Sequence, residues 1–289
     1  MDEAEAQQLA RSFIAGLDIS NVRDDLSVYV KAANAKVIEE ELGEGESGTT
    51  MTLPNGKHII TVNSLEPLAR RRFTICHEVA HIKLGLASSH EEIPAWGYAK
   101  RHPNEVTCDV FAAELLMPYT MWRQLLPMSE PSLQVIELMA AEFRVSFPAA
   151  ASRFATLSDV PCAYVTMERG MVRYAARSTS LRKARAWIPP KSPIPPGSVA
   201  HRLRTAGVSQ TDTDEVAQDV WFESWDQGLD MVELARHYAK TDTTVALLWF
   251  DEEDLPEVET TRFGTRVSED QGLAELTGEL PWPGKKSRR

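Results

Sequence analysis

Residues 72–85 of the chain read Arg72-Phe-Thr-Ile-Cys-His77-Glu78-Val-Ala-His81-Ile-Lys-Leu-Gly85. Apolar residues flank the charged ones throughout this stretch, which predicts a helix that is largely buried. His77 and His81 are four positions apart, so on a helix both imidazoles project from one face. Two neutral imidazoles at that spacing can bind one zinc ion, each at ~2.0–2.1 Å.

Glu78 directly follows the first of these histidines. A carboxylate in that position cannot easily share the metal with its neighbour, but it can reach a water molecule bound to the metal. The H-E-x-x-H pattern works in this way, because one helical turn supplies two ligands and one general base. The pattern also occurs by chance on solvated helices. The apolar flanks favour the metal site, since burying histidine and glutamate without partners costs several kcal/mol.

A catalytic zinc site needs a third protein ligand and keeps one position open. The downstream candidates are His90, Glu91, Glu92, His102, Glu105, Cys108 and Asp109. We favour Glu105, because it lies in the first turn of a helix predicted from Asn104 to Pro118, whereas residues 90–92 lie in a polar loop. A carboxylate in the first turn of a helix can also serve only as a partner of the helix dipole.

Cys108 lies three positions after Glu105 and therefore shares its helical face. Free cysteine is among the most buried residue types, so one interpretation is an inert core thiol. The other interpretation is that its thiolate occupies the open position on zinc and keeps a protease latent. With Cys76 and Cys162 the count is odd and no C-x-x-C occurs, so no disulfide framework is expected.

Three segments resemble the ImmA/IrrE family of metallo-endopeptidases, namely Ile59–Asn63, Arg72–His81 and Glu105–Pro118. The resemblance is good over residues 20–125 and weak elsewhere. It implies an α+β fold class with a gluzincin-like metallopeptidase domain. It also implies one Zn²⁺ ion per chain, bound by the two helix histidines and Glu105, with Glu78 as the catalytic base.

The resemblance further implies a substrate and a domain organisation. Proteins of this family cut helix-turn-helix repressors and so release transcription of stress, DNA-damage or antiphage-defence operons, which makes such a repressor the expected partner. Some carry a helical segment and a GAF-like domain after the peptidase. We therefore expect a metallopeptidase domain over residues 1–127, a helical segment resembling a helix-turn-helix over 128–158, and a GAF-like α/β sensor domain over 159–252.

The overall composition is consistent with a globular protein of 289 residues, which usually means two domains. No export signal is visible and no run reaches the roughly 18 apolar residues that span a membrane, so we expect a cytoplasmic protein without a membrane partner. The net charge of −11 opposes long-range attraction to nucleic acid. Acidic residues followed by a basic end predict a disordered tail over 253–289.

Local patterns predict the elements before the central helix. They predict a strand at Leu26–Val30, a hairpin of Thr49–Leu53 with His58–Val62, and a helix that Ser64 caps and Gly85 ends. The hairpin should leave a sheet edge, at one strand or the other, on which an extended substrate can pair.

In the second half, the patterns predict two short helices within residues 131–158 and a hairpin of Ala163–Met167 with Met171–Ala175. They also predict a helix at Met231–Tyr238 and a buried strand at Val245–Phe250.

Two features bear on nucleic acid. Residues 138–154 have helix-turn-helix spacing, but the second helix offers only Arg153 where a recognition helix needs several base-reading side chains, so we favour a packing module.

Basic residues beside Trp187 could instead bind single-stranded DNA, which would then activate cleavage. They are Arg182, Lys183, Arg185, Arg202 and Arg204. Such charge runs are more often solvated faces.

Two functions remain in competition. The first is a zinc endopeptidase that acts on a repressor, and the second is a DNA-binding or sensor regulator with a structural zinc site. Glu78 favours the enzyme, because a structural site has no use for a carboxylate next to its first ligand. Structural zinc also usually takes four protein ligands that are rich in cysteine.

Overall fold

The computed structural model describes residues 3–43, 45–87, 102–127, 129–222, 225, 229–256, 260–261 and 264–265. The chain divides into two units, residues 1–255 and residues 256–289. In the second unit, β9 (Thr260–Thr261) pairs antiparallel with β10 (Gly264–Thr265). Most of the predicted disordered tail, residues 253–289, lies outside the described residues. None of the described helices is long and apolar enough to cross a membrane.

The first half of the larger unit combines five helices with a small sheet. In chain order its elements are α1 (Glu3–Ala15), α2 (Ser27–Ala32), β1 (Ala35–Glu40), β2 (Gly48–Thr52), β3 (His58–Asn63), α3 (Leu68–Leu84), α4 (Pro103–Leu116) and α5 (Tyr119–Leu125).

The small sheet has the strand order β1-β3-β2, with β1 parallel and β2 antiparallel to β3. The predicted hairpin is therefore confirmed. Of its two strands only β2 lies at an edge, so the expectation that His58–Val62 could receive a substrate strand is wrong. Both sides of β3 already pair with protein strands.

The strand predicted at Leu26–Val30 is also wrong, because this segment enters helix α2. The buried residues here are Leu26, Tyr29, Val30 and Ala33, at spacings of three and four. That spacing places them on one face of a helix, which packs into the core. A short apolar run is compatible with both a helix and a strand, and here the spacing of the buried residues identifies a helix.

Helix α3 ends at Gly85 as predicted, where the residue has φ of 63° in the left-handed region. Its start differs from the prediction. The helix begins at Leu68 with Pro67 at the N-cap, and Ser64 lies outside it. A proline disfavours the helical conformation in the residue before it, so Glu66 cannot readily belong to the helix.

The second half of the larger unit contains two helices, then a five-stranded sheet with two short helices inserted. The elements are α6 (Leu133–Phe143), α7 (Phe147–Leu157), β4 (Cys162–Glu168), β5 (Met171–Arg177), α8 (Thr179–Lys183), α9 (Val199–Ala206), β6 (Gln210–Ala217), β7 (Asp230–Tyr238) and β8 (Thr243–Trp249). The sheet is antiparallel, with the order β5-β4-β8-β7-β6.

The helix predicted at Met231–Tyr238 is wrong, because these residues form strand β7. Met231, Glu233, Ala235 and His237 are buried in alternation, which is the period of a strand. The segment contains several good helix formers. Pairing with β6 on one side and β8 on the other overrides their propensity.

One hydrophobic core connects the two halves. It extends from α1 through α3, α4, α6 and α7 to one face of the five-stranded sheet, where Tyr164 and Leu247 are fully buried. A second cluster packs α9 on the other face of the sheet. The mixed α+β class is thus confirmed, and α6 and α7 act as a packing layer between the metal-motif helices and the sheet.

The buried carboxylate of Glu114 on α4 binds α7, one of the two helices of this packing layer. Glu114 Oε2 accepts a hydrogen bond from Arg153 Nη2 of α7 at 2.8 Å, and Oε1 accepts one from the backbone N–H of Tyr119 at 2.9 Å. Arg153 Nη2 also donates to the carbonyl oxygen of Met117 at 2.7 Å. The single basic residue of the helix-turn-helix look-alike is therefore buried, which supports the interpretation of this segment as a packing module.

Replacing Arg153 with Met should lower the free energy of unfolding by about 3 kcal/mol, because it leaves the Glu114 carboxylate buried without its strongest partner. The matched control is Arg123→Met, whose ion pair with Asp159 is 36% and 77% exposed and should contribute ~0–1 kcal/mol. Urea unfolding of both variants measures the difference. Equal losses in the two variants would contradict a structural role for the buried pair.

Candidate metal centre

Helices α3 and α4 pack side by side and bring three side chains together. The Nε2 atoms of His77 and His81 lie 3.0 Å apart. Glu105 places Oε2 at 3.0 Å from the Nε2 atom of His77 and Oε1 at 3.6 Å from that of His81. All three residues thus offer a ligand atom within 4.8 Å of the others.

These separations suit a metal ion. Ligand atoms that surround zinc tetrahedrally at ~2.0–2.1 Å lie about 3.3 Å from one another. The three distances found here, 3.0, 3.0 and 3.6 Å, are close to that value. Two imidazoles and one carboxylate are also the donor set of catalytic zinc sites, whereas structural sites are rich in cysteine. The residues present therefore fit a divalent metal.

Each histidine has an acceptor oxygen close to its other ring nitrogen. His81 Nδ1 lies 3.0 Å from the carbonyl oxygen of Leu86, and His77 Nδ1 lies 3.0 Å from Asp109 Oδ1. A carbonyl only accepts, so His81 Nδ1 carries a proton and the lone pair of His81 Nε2 faces the cluster. His77 lies between the carboxylates of Glu105 and Asp109, and a metal ion would take the place of the proton on its Nε2 atom. The structure thus places Asp109 behind His77 and outside the three-residue group, although the sequence offered it as a candidate ligand.

The carboxylates around His77 change the pKa of its imidazole. Burial alone would lower this pKa, but the hydrogen bonds to Asp109 and Glu105 and the nearby Glu78 carboxylate raise it to about 9. A buried group of carboxylates therefore attracts one positive charge. A proton and a metal ion compete for the same Nε2 lone pair, so metal binding at neutral pH releases a proton.

Glu78 lies on the same helix, next to the cluster and buried, at 2% exposure. Its Oε2 atom accepts a hydrogen bond from Thr50 Oγ1 of strand β2 at 2.6 Å. The general base predicted by the sequence is thus held by the edge strand of the small sheet. Thr50 could not have been found from the sequence, because nothing in its local pattern indicates which strand crosses the helix at Glu78.

Cys108 is fully buried and, among the described residues, is not part of the three-residue group. Burial, together with the carboxylates of Glu105 and Asp109, raises the pKa of its thiol to about 12. The idea that its thiolate blocks the metal stays a prediction.

Of the other candidate ligands, His102 caps the N-terminus of α4, where its Nδ1 atom accepts a hydrogen bond from the backbone N–H of Asn104 at 3.2 Å. The remaining candidates, His90, Glu91 and Glu92, lie outside the described residues.

The five basic candidates for nucleic-acid contact fall into two groups. Arg202 pairs with Asp212 at 2.9 Å and Asp214 at 3.2 Å, and Arg204 makes two hydrogen bonds of 2.9 Å to Asp242. The other group forms no ion pair within the part of the chain that the structure describes. It consists of Arg182, Lys183 and Arg185, close in sequence to the 56% exposed Trp187.

Comparison with known proteins supports the metal centre. Residues 30–155, which include both helices of the cluster, match the Peptidase_M78 family, described as the IrrE N-terminal-like domain. The chain is also 31% identical over 138 residues to the radiation response metalloprotease IrrE of Deinococcus deserti, an alignment that covers 43% of this chain and 48% of that protein. The chain therefore spans about half the length of this curated relative.

A solved structure resembles most of the fold. A transcriptional regulator of Mycobacterium tuberculosis superimposes with a TM-score of 0.55, covering 86% of this chain and 76% of that chain, at 12% identity. At so low an identity the likeness shows the fold alone.

Replacing Asp109 with Asn should weaken zinc binding about 10- to 100-fold, because the neutral amide no longer fixes the tautomer of His77 or increases its basicity. The matched control is Asp18→Asn, since Asp18 is exposed and its side chain bonds only locally, to Ser20. Competition with a chromophoric chelator measures both affinities. Unchanged affinity in Asp109→Asn would rule out the orienting role.

Proposed function

Because residues 30–155 form a domain of the Peptidase_M78 family, we propose that this protein is a zinc-dependent endopeptidase. The observation that carries the proposal is the convergence of His77, His81 and Glu105 from two helices, with the Glu78 carboxylate next to them. The relative from Deinococcus deserti is named a metalloprotease, which is the same class of activity.

Each residue of the centre then has one task. His77, His81 and Glu105 hold the metal, which when bound lowers the pKa of a water molecule and polarises the scissile carbonyl. Glu78 accepts the proton of the attacking water and delivers it to the leaving amine. Asp109 keeps the His77 ring in the orientation that ligation requires.

The substrate should bind in extended form along β2. Within the described strands, β2 pairs only with β3, so its outer edge presents backbone groups to a further strand. Such strand addition supplies main-chain hydrogen bonds and leaves alternate side chains to determine specificity. The Thr50–Glu78 hydrogen bond brings this edge directly to the general base.

The substrate class that we propose is a helix-turn-helix repressor whose cleavage releases a stress-response operon. Two observations support it: the resemblance of the motif segments to the ImmA/IrrE family, and the name of the relative, which places that protein in a radiation response. The competing function, a DNA-binding regulator with structural zinc, is less well supported. Its only base-reading candidate, Arg153, is buried against Glu114.

We further propose that single-stranded DNA activates cleavage through Arg182, Lys183 and Arg185. These three residues are not neutralised by acidic side chains within the described residues, and Trp187 nearby offers an exposed ring for base stacking. Arg177 lies over that ring, with its Cζ atom 4.9 Å from the centroid, which adds a fourth positive charge. Arg202 and Arg204 are less suited to this role because acidic partners hold them.

Replacing Glu78 with Gln should reduce cleavage at least about 100-fold, because the amide cannot accept the proton of the attacking water. Zinc content should stay at one ion per chain. The test is co-expression with a helix-turn-helix repressor encoded next to the gene, followed by electrophoresis. Glu168→Gln, whose half-exposed side chain pairs with Arg173 far from this centre in sequence, is the matched control. A repressor that stays intact with the zinc-loaded wild type, or that is cut equally by Glu78→Gln, would refute the proposal.

Single-stranded DNA should raise the cleavage rate of the wild type, and Arg182→Ser combined with Arg185→Ser should abolish the increase. Arg202→Ser combined with Arg204→Ser is the matched control, and it should retain most of the stimulation. Cleavage assays with and without an oligonucleotide, at two salt concentrations, report the effect, which should weaken as salt rises. Identical rates with and without DNA would disprove this activation.

A further inference from the structure

Thr50 of β2 and Glu78 of α3 are joined by a side-chain hydrogen bond. Thr50 pairs with Ile60 in the register of β2 and β3, and its side chain is half-buried towards α3, whereas Thr49 and Met51 on either side are exposed. Its hydroxyl donates to Glu78 Oε2 at 2.6 Å, the short distance of a bond to a charged acceptor.

The backbone of β2 is held tightly against α3 at this place. A Cβ atom on Gly48 would lie 2.5 Å from Thr74 Cγ2 and 2.6 Å from the carbonyl oxygen of Thr61. Only glycine therefore allows the strand to approach the helix so closely. Since Thr50 is two residues further along the same face, its hydroxyl is brought within reach of Glu78.

The loop before β2 is fixed as well. Asn63 Nδ2 donates to the carbonyl oxygen of Glu46 at 2.9 Å, and Ser47 Oγ donates to Glu66 Oε1 at 2.8 Å. These bonds tie the entry of the strand to the segment between β3 and α3. The position of Thr50 relative to the helix is therefore set by the backbone and does not depend on the rotamer of Glu78.

This fixed donor restricts a flexible side chain. Glutamate has three rotatable side-chain bonds, and a base that must accept a proton from a defined position benefits from losing that freedom. The hydrogen bond from Thr50 goes to Oε2 of Glu78. A carboxylate has a second oxygen, and in the proposed mechanism Oε1 of Glu78 receives the proton of the attacking water.

We propose that Thr50 is a positioning residue, whose hydroxyl holds the Glu78 carboxylate in the orientation needed for proton transfer. The inference rests on the proposed endopeptidase function and deepens it. Thr50 also lies on the strand along which the substrate should pair, so a single element aligns both the peptide and the base. The backbone of β2 faces the substrate while its side chain at position 50 faces the base.

The first test compares Thr50→Val, which removes the hydroxyl but keeps the shape, with Thr50→Ser, which keeps the hydroxyl. Thr213→Val, at an exposed position of β6 in the five-stranded sheet and outside the proposed substrate edge, is the matched control. The probe is fluorescein-labelled casein with the zinc-loaded full chain. We expect Thr50→Val to lower kcat about 10-fold or more with little change in KM, while Thr50→Ser stays near the wild type. Equal kcat in Thr50→Val and the wild type would overturn the inference, as would an equal loss in Thr50→Ser.

The second test needs no activity. In the metal-free protein, urea unfolding of Thr50→Val, Glu78→Met and the double variant forms a double-mutant cycle. The loss of stability caused by Thr50→Val should be smaller in the Glu78→Met background, because the bond is already absent there. Additive losses would overturn the inference. If the wild type cleaves neither casein nor a repressor, the proposed endopeptidase function fails, while the cycle still reports on the Thr50–Glu78 bond.

Discussion

The packing of α3 against α4 is the contact on which the functional centre depends. It places two imidazoles from one helix against a carboxylate from the other, within 4.8 Å of one another. Three buried or partly buried acids, Glu78, Glu105 and Asp109, surround His77. Acids in such a place are costly unless a positive charge accompanies them. The raised pKa of His77 reflects this demand for positive charge, which a divalent ion bound at the cluster would also meet.

Contacts outside the metal cluster also hold helices α3 and α4 in position. Glu114, two and a half turns along α4 from Glu105, binds Arg153 of α7, and α7 packs on the five-stranded sheet. On the other side, β2 lies against α3 and reaches Glu78 through Thr50. The residues of the centre therefore lie on two helices and a strand, and backbone pairing and buried hydrogen bonds hold these elements in place. Such support favours a fixed geometry of the site.

Local sequence patterns identified the parts of the site that lie on one element. His77, Glu78 and His81 follow from helical spacing, and Glu105 and Asp109 follow as one face of the next helix. The hairpin was indicated by its Asn-Gly turn. What local patterns could not supply are pairings between distant segments. Thr50 and Glu78 are 28 residues apart in sequence, and Arg153 and Glu114 are 39 residues apart. The residues around each of them do not indicate which distant side chain it contacts. Strand β7 was mistaken for a helix for the same reason, since its two neighbouring strands determine its conformation.

The central claim is that one metal ion lies between α3 and α4. Anomalous diffraction at the zinc absorption edge, from crystals of the zinc-loaded protein, tests it most directly. We expect a single peak per chain, ~2.0–2.1 Å from the Nε2 atoms of His77 and His81 and from a carboxylate oxygen of Glu105. A peak elsewhere, or none at this position in zinc-saturated crystals, would contradict it.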